Sequence, residues 1–287
     1  MLTGKALLEN IQKCSLRKGE CAIWWLGQAG LMIKLGKTVI GIDMFLSSHP
    51  RRQIPALVAP GELANVDLVL GTHDHTDHID RKVWPAMARA LPAARFIVPA
   101  FVLPGLAKDL RIPPQRFIGL DDGTCAEAHG VRVTGVAAAH EFLDRDPATG
   151  RYPFLGYIIE ANGFRLYHAG DCCVYEGLQT RLSRWNLDLA LLPINGRDAV
   201  RLASNCIGNM TYQEAADLAG ALGPGMTIPL HYEMFASNSE NPQLFLDYMR
   251  VKYPRLKTTL CRHGERMILR AAQRVSIFPR GTAKKKS

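Results

Sequence analysis

Apolar residues change period several times along the 287-residue chain, and the changes mark its elements. Residues 3–13 carry Leu7, Leu8 and Ile11 on one helical face, with Thr3 placed to cap the first turn. From residue 21 the pattern shortens to strand-length runs at 21–26, 31–35 and 38–43, broken by Gly27, Gly30 and Gly36, which predicts a strand meander. A buried strand is predicted over 66–72. Ile79, Val83, Met87 and Leu91 then recur every four residues, so a helix follows, kinked or restarted at Pro85.

Further strands are predicted at 95–98, 131–138, 155–161, 164–168, 187–192 and 226–230, with closing strands near 258–260 and 267–269. Asn162 and Gly163 are the preferred pair for a tight type I′ turn between two of these. Thr211 and Glu214 form a capping box that opens a helix over 211–222, and Phe245, Tyr248 and Met249 sit on a later one. The strands fall into two batches interrupted by helices, with no linker or low-complexity segment. That predicts one α/β domain over residues 1–273, a two-layered β core with helices outside. No short-period repeat is visible, which argues against a solenoid or propeller.

Composition narrows the setting. Seven cysteines with no CxxC pair exclude a disulfide framework and a zinc ribbon, and fit a reducing compartment. Neither a signal peptide nor a run of eighteen apolar residues is present, so a soluble, unexported, cytoplasmic protein without a membrane partner is expected. The net charge of +9 invites a nucleic-acid reading, yet Arg274, Arg280, Lys284, Lys285 and Lys286 supply more than half of it. A flexible basic tail over 274–287 is the simpler expectation, and no aromatic-basic stripe suggests nucleic acid as a partner. A small-molecule substrate is expected, and a homo-oligomer is compatible with the sequence.

The chemistry concentrates at residues 72–78, Thr-His-Asp-His-Thr-Asp-His. His73, His75, Asp77 and His78 place four metal-binding side chains within six positions, and neither an ordinary core nor an ordinary surface calls for that density. Imidazole nitrogens and carboxylate oxygens suit zinc, manganese or iron, and no cysteine lies nearby to close a structural zinc knot. Two metals need more donors than the cluster supplies. His140, Asp171 and His231 each follow a predicted strand, and strand ends that leave one edge of a sheet converge on one surface.

The HxHxDH motif at 73–78, the later His140, the Gly-Asp pair at 170–171 and His231 resemble the metallo-β-lactamase superfamily, in matching order across almost the whole chain. Within it, residues 24–27, 72–80, 166–171 and 228–231 are most similar to the ascorbate-6-phosphate lactonase branch. At the position of His140 that branch has no histidine, and there the chain is more similar to the superfamily at large. The resemblance implies a four-layer αββα sandwich and two divalent metal ions. It implies that His73, His75 and His140 hold one ion, that Asp77, His78 and His231 hold the other, and that Asp171 bridges them. Asp43 resembles the superfamily's early aspartate, which orients a ligand histidine by accepting its other ring hydrogen.

Two such cations would acidify a bound water into a metal-bound hydroxide at neutral pH, with Asp77 as ligand or proton carrier to the leaving group. The expected activity is hydrolysis of a small anionic ester, lactone or phosphodiester. A mononuclear iron sulfur dioxygenase and a nuclease of the same fold are the alternatives. A diiron oxidoreductase is disfavoured because His75 stands where such enzymes carry glutamate. For substrate binding the candidates are Asn195, Arg197 and Tyr232, with Arg197 read either as an anion clamp or as part of a self-bonded loop. His168 is expected as a core histidine bonded to a carbonyl, Asp74 and Asp80 as turn or cap residues, and Cys172 and Cys173 as small buried side chains.

Overall fold

Strand β1 (Glu20–Gly27) shows why the chain layers as it does. All eight residues are buried, and alternate ones enter different cores: Cys21, Ile23 and Trp25 face a second sheet, whereas Ala22, Trp24 and Leu26 face a helical layer. A strand apolar on both faces must be covered on both. The computed structural model describes residues 1–272, and the basic tail expected over 274–287 lies outside the described residues.

The first sheet continues through β2 (Gly30–Leu35), β3 (Thr38–Ile42), β4 (Leu68–Leu70), β5 (Arg95–Pro99) and β6 (Phe117–Leu120), and β13 (Arg266–Arg270) closes its other edge beside β1. The second runs in the order β12 (Thr227–Leu230), β11 (Leu189–Pro193), β10 (Phe164–His168), β9 (Leu155–Ala161), β8 (Val131–Ala137), β7 (Cys125–Ala128). Both are mixed. Strands β3 to β6 and β10 to β12 pair in parallel, and the remaining neighbours are antiparallel. Helices α1 (Gly4–Lys13), α2 (Trp84–Ala90) and α3 (Leu103–Leu110) cover the first sheet through Leu7, Ile11, Trp84, Met87 and Leu106. Helices α4 (Leu178–Ser183), α6 (Tyr212–Leu222) and α7 (Pro242–Lys252) cover the second through Leu182, Ala215, Ala219, Phe245 and Met249, and the short α5 (Ala199–Ala203) lies between α4 and α6 in the chain. The result is the expected αββα sandwich.

Local signals behave as their chemistry requires. Pro85 begins α2 rather than kinking a longer helix, and Thr211 and Glu214 bond reciprocally to cap α6. Asn162 and Gly163 both adopt positive φ, as a type I′ turn demands. The strand predicted near 258–260 is reduced to a single bridge between Thr258 and Thr227. No helix among the described residues is long and apolar enough to cross a membrane.

The parallel strands gather the donor residues, because loops leaving their C-terminal ends share one edge of the sandwich. Asp43 follows β3, the histidine cluster follows β4, Asp171 follows β10 and His231 follows β12. From the antiparallel part of the second sheet, β8 delivers His140 to the same edge.

Candidate metal centre

Three groups of donor atoms converge there, each with its atoms within 4.8 Å of one another: His73, His75 and His140; His73, His78 and Asp171; Asp77, His78 and His231. The seven donors named from sequence thus occur together. His75 Nδ1 lies 3.0 Å from His73 Nε2 and 3.2 Å from His140 Nε2. A single ring proton cannot satisfy three converging nitrogens, whereas one cation can use all three lone pairs. Asp171 joins the two sides. Its Oδ1 is 3.2 Å from His78 Nε2 and 3.3 Å from His231 Nε2, and its Oδ2 is 3.7 Å from His140 Nε2. His78 Nε2 and Asp171 Oδ1 are buried without a hydrogen-bond partner, which is how donors aimed at a common third body are disposed. The residues fit a metal group.

Electrostatics divide the two sides. Burial pushes the His140 imidazole down to about 4 and lowers His73 and His75 as well, so these rings are neutral and their lone pairs free. Burial also opposes charge on His78, but Asp171, Asp43 and Asp77 together hold its pKa well above the usual imidazole value. Asp171 is the reciprocal case: burial raises it, and His231 and His78 draw it well below the ordinary carboxylate range. The two sides thus differ in that the carboxylates favour a charged imidazole at His78, whereas burial disfavours one at His73, His75 and His140.

Asp43 and Thr72 fix the His78 ring. Asp43 Oδ2 accepts from His78 Nδ1 at 2.7 Å and from Thr72 Oγ1 at 2.7 Å, while Oδ1 accepts from the Thr72 amide at 2.9 Å. That assigns the Nδ1 proton of His78 and turns Nε2 toward Asp171. His168 donates from Nε2 to the Ala29 carbonyl at 2.9 Å and is a core residue, as expected. Burial pushes the Cys172 thiol up to about 12, so Cys172 and Cys173 pack as inert side chains.

Several expectations need correction. Asp80 opens the turn into α2 through its carbonyl, as a turn residue does, but its side chain has a further role: it is fully buried and accepts from the amides of Leu46 and Ser47 and from Ser47 Oγ, anchoring the loop after Asp43. Asp74 is ion-paired with Arg81. Arg197 is engaged bidentately by Glu214 at 2.6 and 2.7 Å and donates to the Asn209 carbonyl, which matches the self-bonded loop and not the anion clamp. Asn195 is buried in an amide chain with Asn209 and Asn238, so it is not presented to a substrate. Tyr232 packs in the core against Trp25, ring centroids 4.7 Å apart, rather than bordering an opening.

One residue was missed. Gln28, in the tight connection between β1 and β2, is fully buried, and its amide Nε2 reaches Asp77 Oδ2 at 3.1 Å and His231 Nε2 at 3.2 Å. Its only sequence signal is a polar residue flanked by Gly27 and Gly30, which reads as a turn. Gln28, Asp43 and His231 all adopt left-handed backbone, with φ of 54°, 47° and 68°. Such conformations cost energy and persist where packing enforces a side-chain direction.

Known proteins resemble this chain in sequence and in fold. The family model of the beta-lactamase superfamily domain matches residues 38–232. A UPF0173 metal-dependent hydrolase of Cupriavidus taiwanensis is 33% identical over 247 residues, covering 79% of each chain. Another, from Rubrobacter xylanophilus, is 30% identical over 262 residues, 87% of this chain and 97% of its own. Among solved structures, the metallo hydrolase Igni18 of the hyperthermophilic archaeon Ignicoccus hospitalis superposes with a TM-score of 0.68 at 21% identity, across 88% of this chain and 100% of that one. That likeness concerns the fold.

Proposed function

This chain belongs to the beta-lactamase superfamily and, within it, to the UPF0173 metal-dependent hydrolases, and from that premise we propose a dinuclear hydrolase acting on a small anionic ester, lactone or phosphodiester. The observation that carries the reading is Asp171, with one oxygen toward His78 and His231 and the other toward His140. His73, His75 and His140 would hold one divalent ion and Asp77, His78 and His231 the other, with Asp171 shared between them. Zinc or manganese suits these donors, and iron is compatible. Such ions would supply Lewis acidity there, able to lower the pKa of a water toward about 7 and to polarise a substrate oxygen.

The protein's part is orientation and proton handling. Asp43 and Thr72 hold His78, and the burial of His73, His78, Asp171 and His231 excludes bulk water beneath the donors. The Asp77 side chain is 22% exposed while that of Asp171 is 6% exposed, so Asp77 is the carboxylate open toward an incoming substrate. It is therefore assigned to take the proton released by the attacking water and pass it to the leaving group. The anionic lactone or ester class rests on the similarity of residues 24–27, 166–171 and 228–231 to the lactonase branch.

The test is metal analysis of the purified chain followed by a screen of lactones, phosphodiesters and phosphate-bearing esters. Two ions per chain, and loss of both metal and turnover in His75→Ala, are expected. Turnover retained by His75→Ala would refute the assignment.

A further inference from the structure

Gln28 has no part in the chemistry above, yet its side chain ends among the second set of donors. Its terminal nitrogen stands 3.1 Å from Asp77 Oδ2 and 3.2 Å from His231 Nε2. Two ligands about 2.1 Å from one ion and at right angles are themselves about 3 Å apart, so the end of Gln28 occupies the place of a neighbouring ligand to both. The pairing itself is unfavourable for a metal site: an N–H is directed at a ring nitrogen whose only lone pair a cation would need. The other end, Oε1, is enclosed and has no hydrogen-bond partner. The amide is thus held at one end only, by the two groups a cation would take over.

We propose that Gln28 is a conditional ligand of the second metal position, its amide reversing when a divalent cation binds so that Oε1 faces the cation beside Asp77 and His231. The two ends of a carboxamide are nearly equal in size, so a half-turn about the last side-chain bond exchanges donor for acceptor with little displacement of neighbours. Without a cation, Nε2–H joins Asp77 and His231; with one, the positive charge replaces that proton donor and a neutral oxygen completes the set. The backbone holds the residue in range. The Gln28 carbonyl accepts from Trp25 Nε1 and from the His231 amide, both at 3.0 Å, tying the turn to the ligand it serves. This inference rests on the two-ion reading.

Calorimetric titration of chelator-treated wild type, Gln28→Glu and Gln28→Met with Mn²⁺ tests it, the first binding step reporting in each case that the variant is folded. Wild type is expected to take two ions. Gln28→Met should keep the first step and weaken the second by about tenfold or more, whereas Gln28→Glu, with oxygen at both ends, should bind the second ion at least as tightly as wild type. Were Gln28 only an N–H donor to Asp77, the new carboxylate would oppose Asp77 and the second step would be no tighter than in Gln28→Met, which would overturn the proposal. With Co²⁺ loaded, the visible spectra of wild type and Gln28→Met should differ because a ligand is lost; identical spectra also overturn it. If Gln28→Met does not fold, a second step weaker in Gln28→Glu than in wild type is the overturning result. A wild-type chain that takes one ion overturns the two-ion reading and this assignment together.

Discussion

Asp43 Oδ2 accepts the Nδ1 hydrogen of His78 at 2.7 Å, with both side chains wholly enclosed. The carboxylate can only accept, so it keeps a hydrogen on Nδ1 and makes Nε2 the nitrogen that faces the metal position. Asn tolerates the left-handed backbone of Asp43 and has the same shape, which makes Asp43→Asn the informative change. Its amide can offer an N–H where His78 needs an acceptor, and a reversed imidazole would direct a proton at the metal position. Second-site affinity is expected to fall by about 10–100-fold, read by calorimetry, with the first site unaffected. Equal affinity for both ions would reduce Asp43 to a packing role.

The neutral histidines make stability depend on pH. His168 donates through Nε2 to Ala29 and accepts through Nδ1 from the Gly170 amide, and burial lowers its pKa from 6.5. The unfolded chain binds a proton near 6.5 that the native ring resists, so stability present above 6.5 declines as pH falls below it. One such proton contributes at most about 1.4 kcal/mol per pH unit. His73, His75 and His140 shift the same way through burial. Urea unfolding of chelator-treated protein between pH 7 and pH 5 should therefore show a falling midpoint, with a shallower slope in His168→Gln; an unchanged slope there would remove His168 from the account.

Arg197 is expected to matter for folding and not for substrate. Its fork pairs with Glu214, which also bonds the Thr211 amide at the start of α6, and its side chain is 39% exposed. Removing an exposed pair of this kind costs about 1 kcal/mol at most. Arg197→Ala should lower the melting temperature slightly and leave KM for anionic substrates within about twofold. A tenfold rise in KM would reinstate the anion clamp.

Legibility in the sequence depends on how local each signal is. The cluster at 73–78 is contiguous, and His140, Asp171 and His231 stand just beyond apolar strands, so their convergence comes from the layering alone. Strands with both faces buried, such as β1, announce themselves by unbroken apolar runs. Gln28 and Asp80 were not legible because their roles depend on chain segments that return from far away: His231 to Gln28, and residues 46–47 to Asp80. Arg197 was ambiguous for the same reason, since Glu214 was already accounted for as a cap. Strands β6 and β7 and helix α3 are short and partly exposed, which leaves too few apolar positions to set a period.

Asp171→Asn separates a shared carboxylate from one that merely neighbours both sides. An amide nitrogen has no lone pair to give a metal, so whichever way the side chain turns, one of the two donor sets loses its oxygen. The side with His73, His75 and His140 keeps three imidazoles, whereas Asp171 lies nearer the other side, 3.2 and 3.3 Å from His78 and His231 Nε2 against 3.7 Å from His140 Nε2, so that side loses more. The second ion is therefore the one expected to leave, taking the stoichiometry from two toward one. Hydrolysis that depends on both ions should then fall at least about a thousandfold in kcat/KM, equivalent to about 4 kcal/mol of transition-state stabilisation. Metal analysis and steady-state kinetics on the same preparation distinguish the outcomes. One ion with turnover intact would mean that the chemistry is mononuclear and that Asp77, His78 and His231 serve another purpose; two ions with turnover intact would mean that Asp171 bridges nothing.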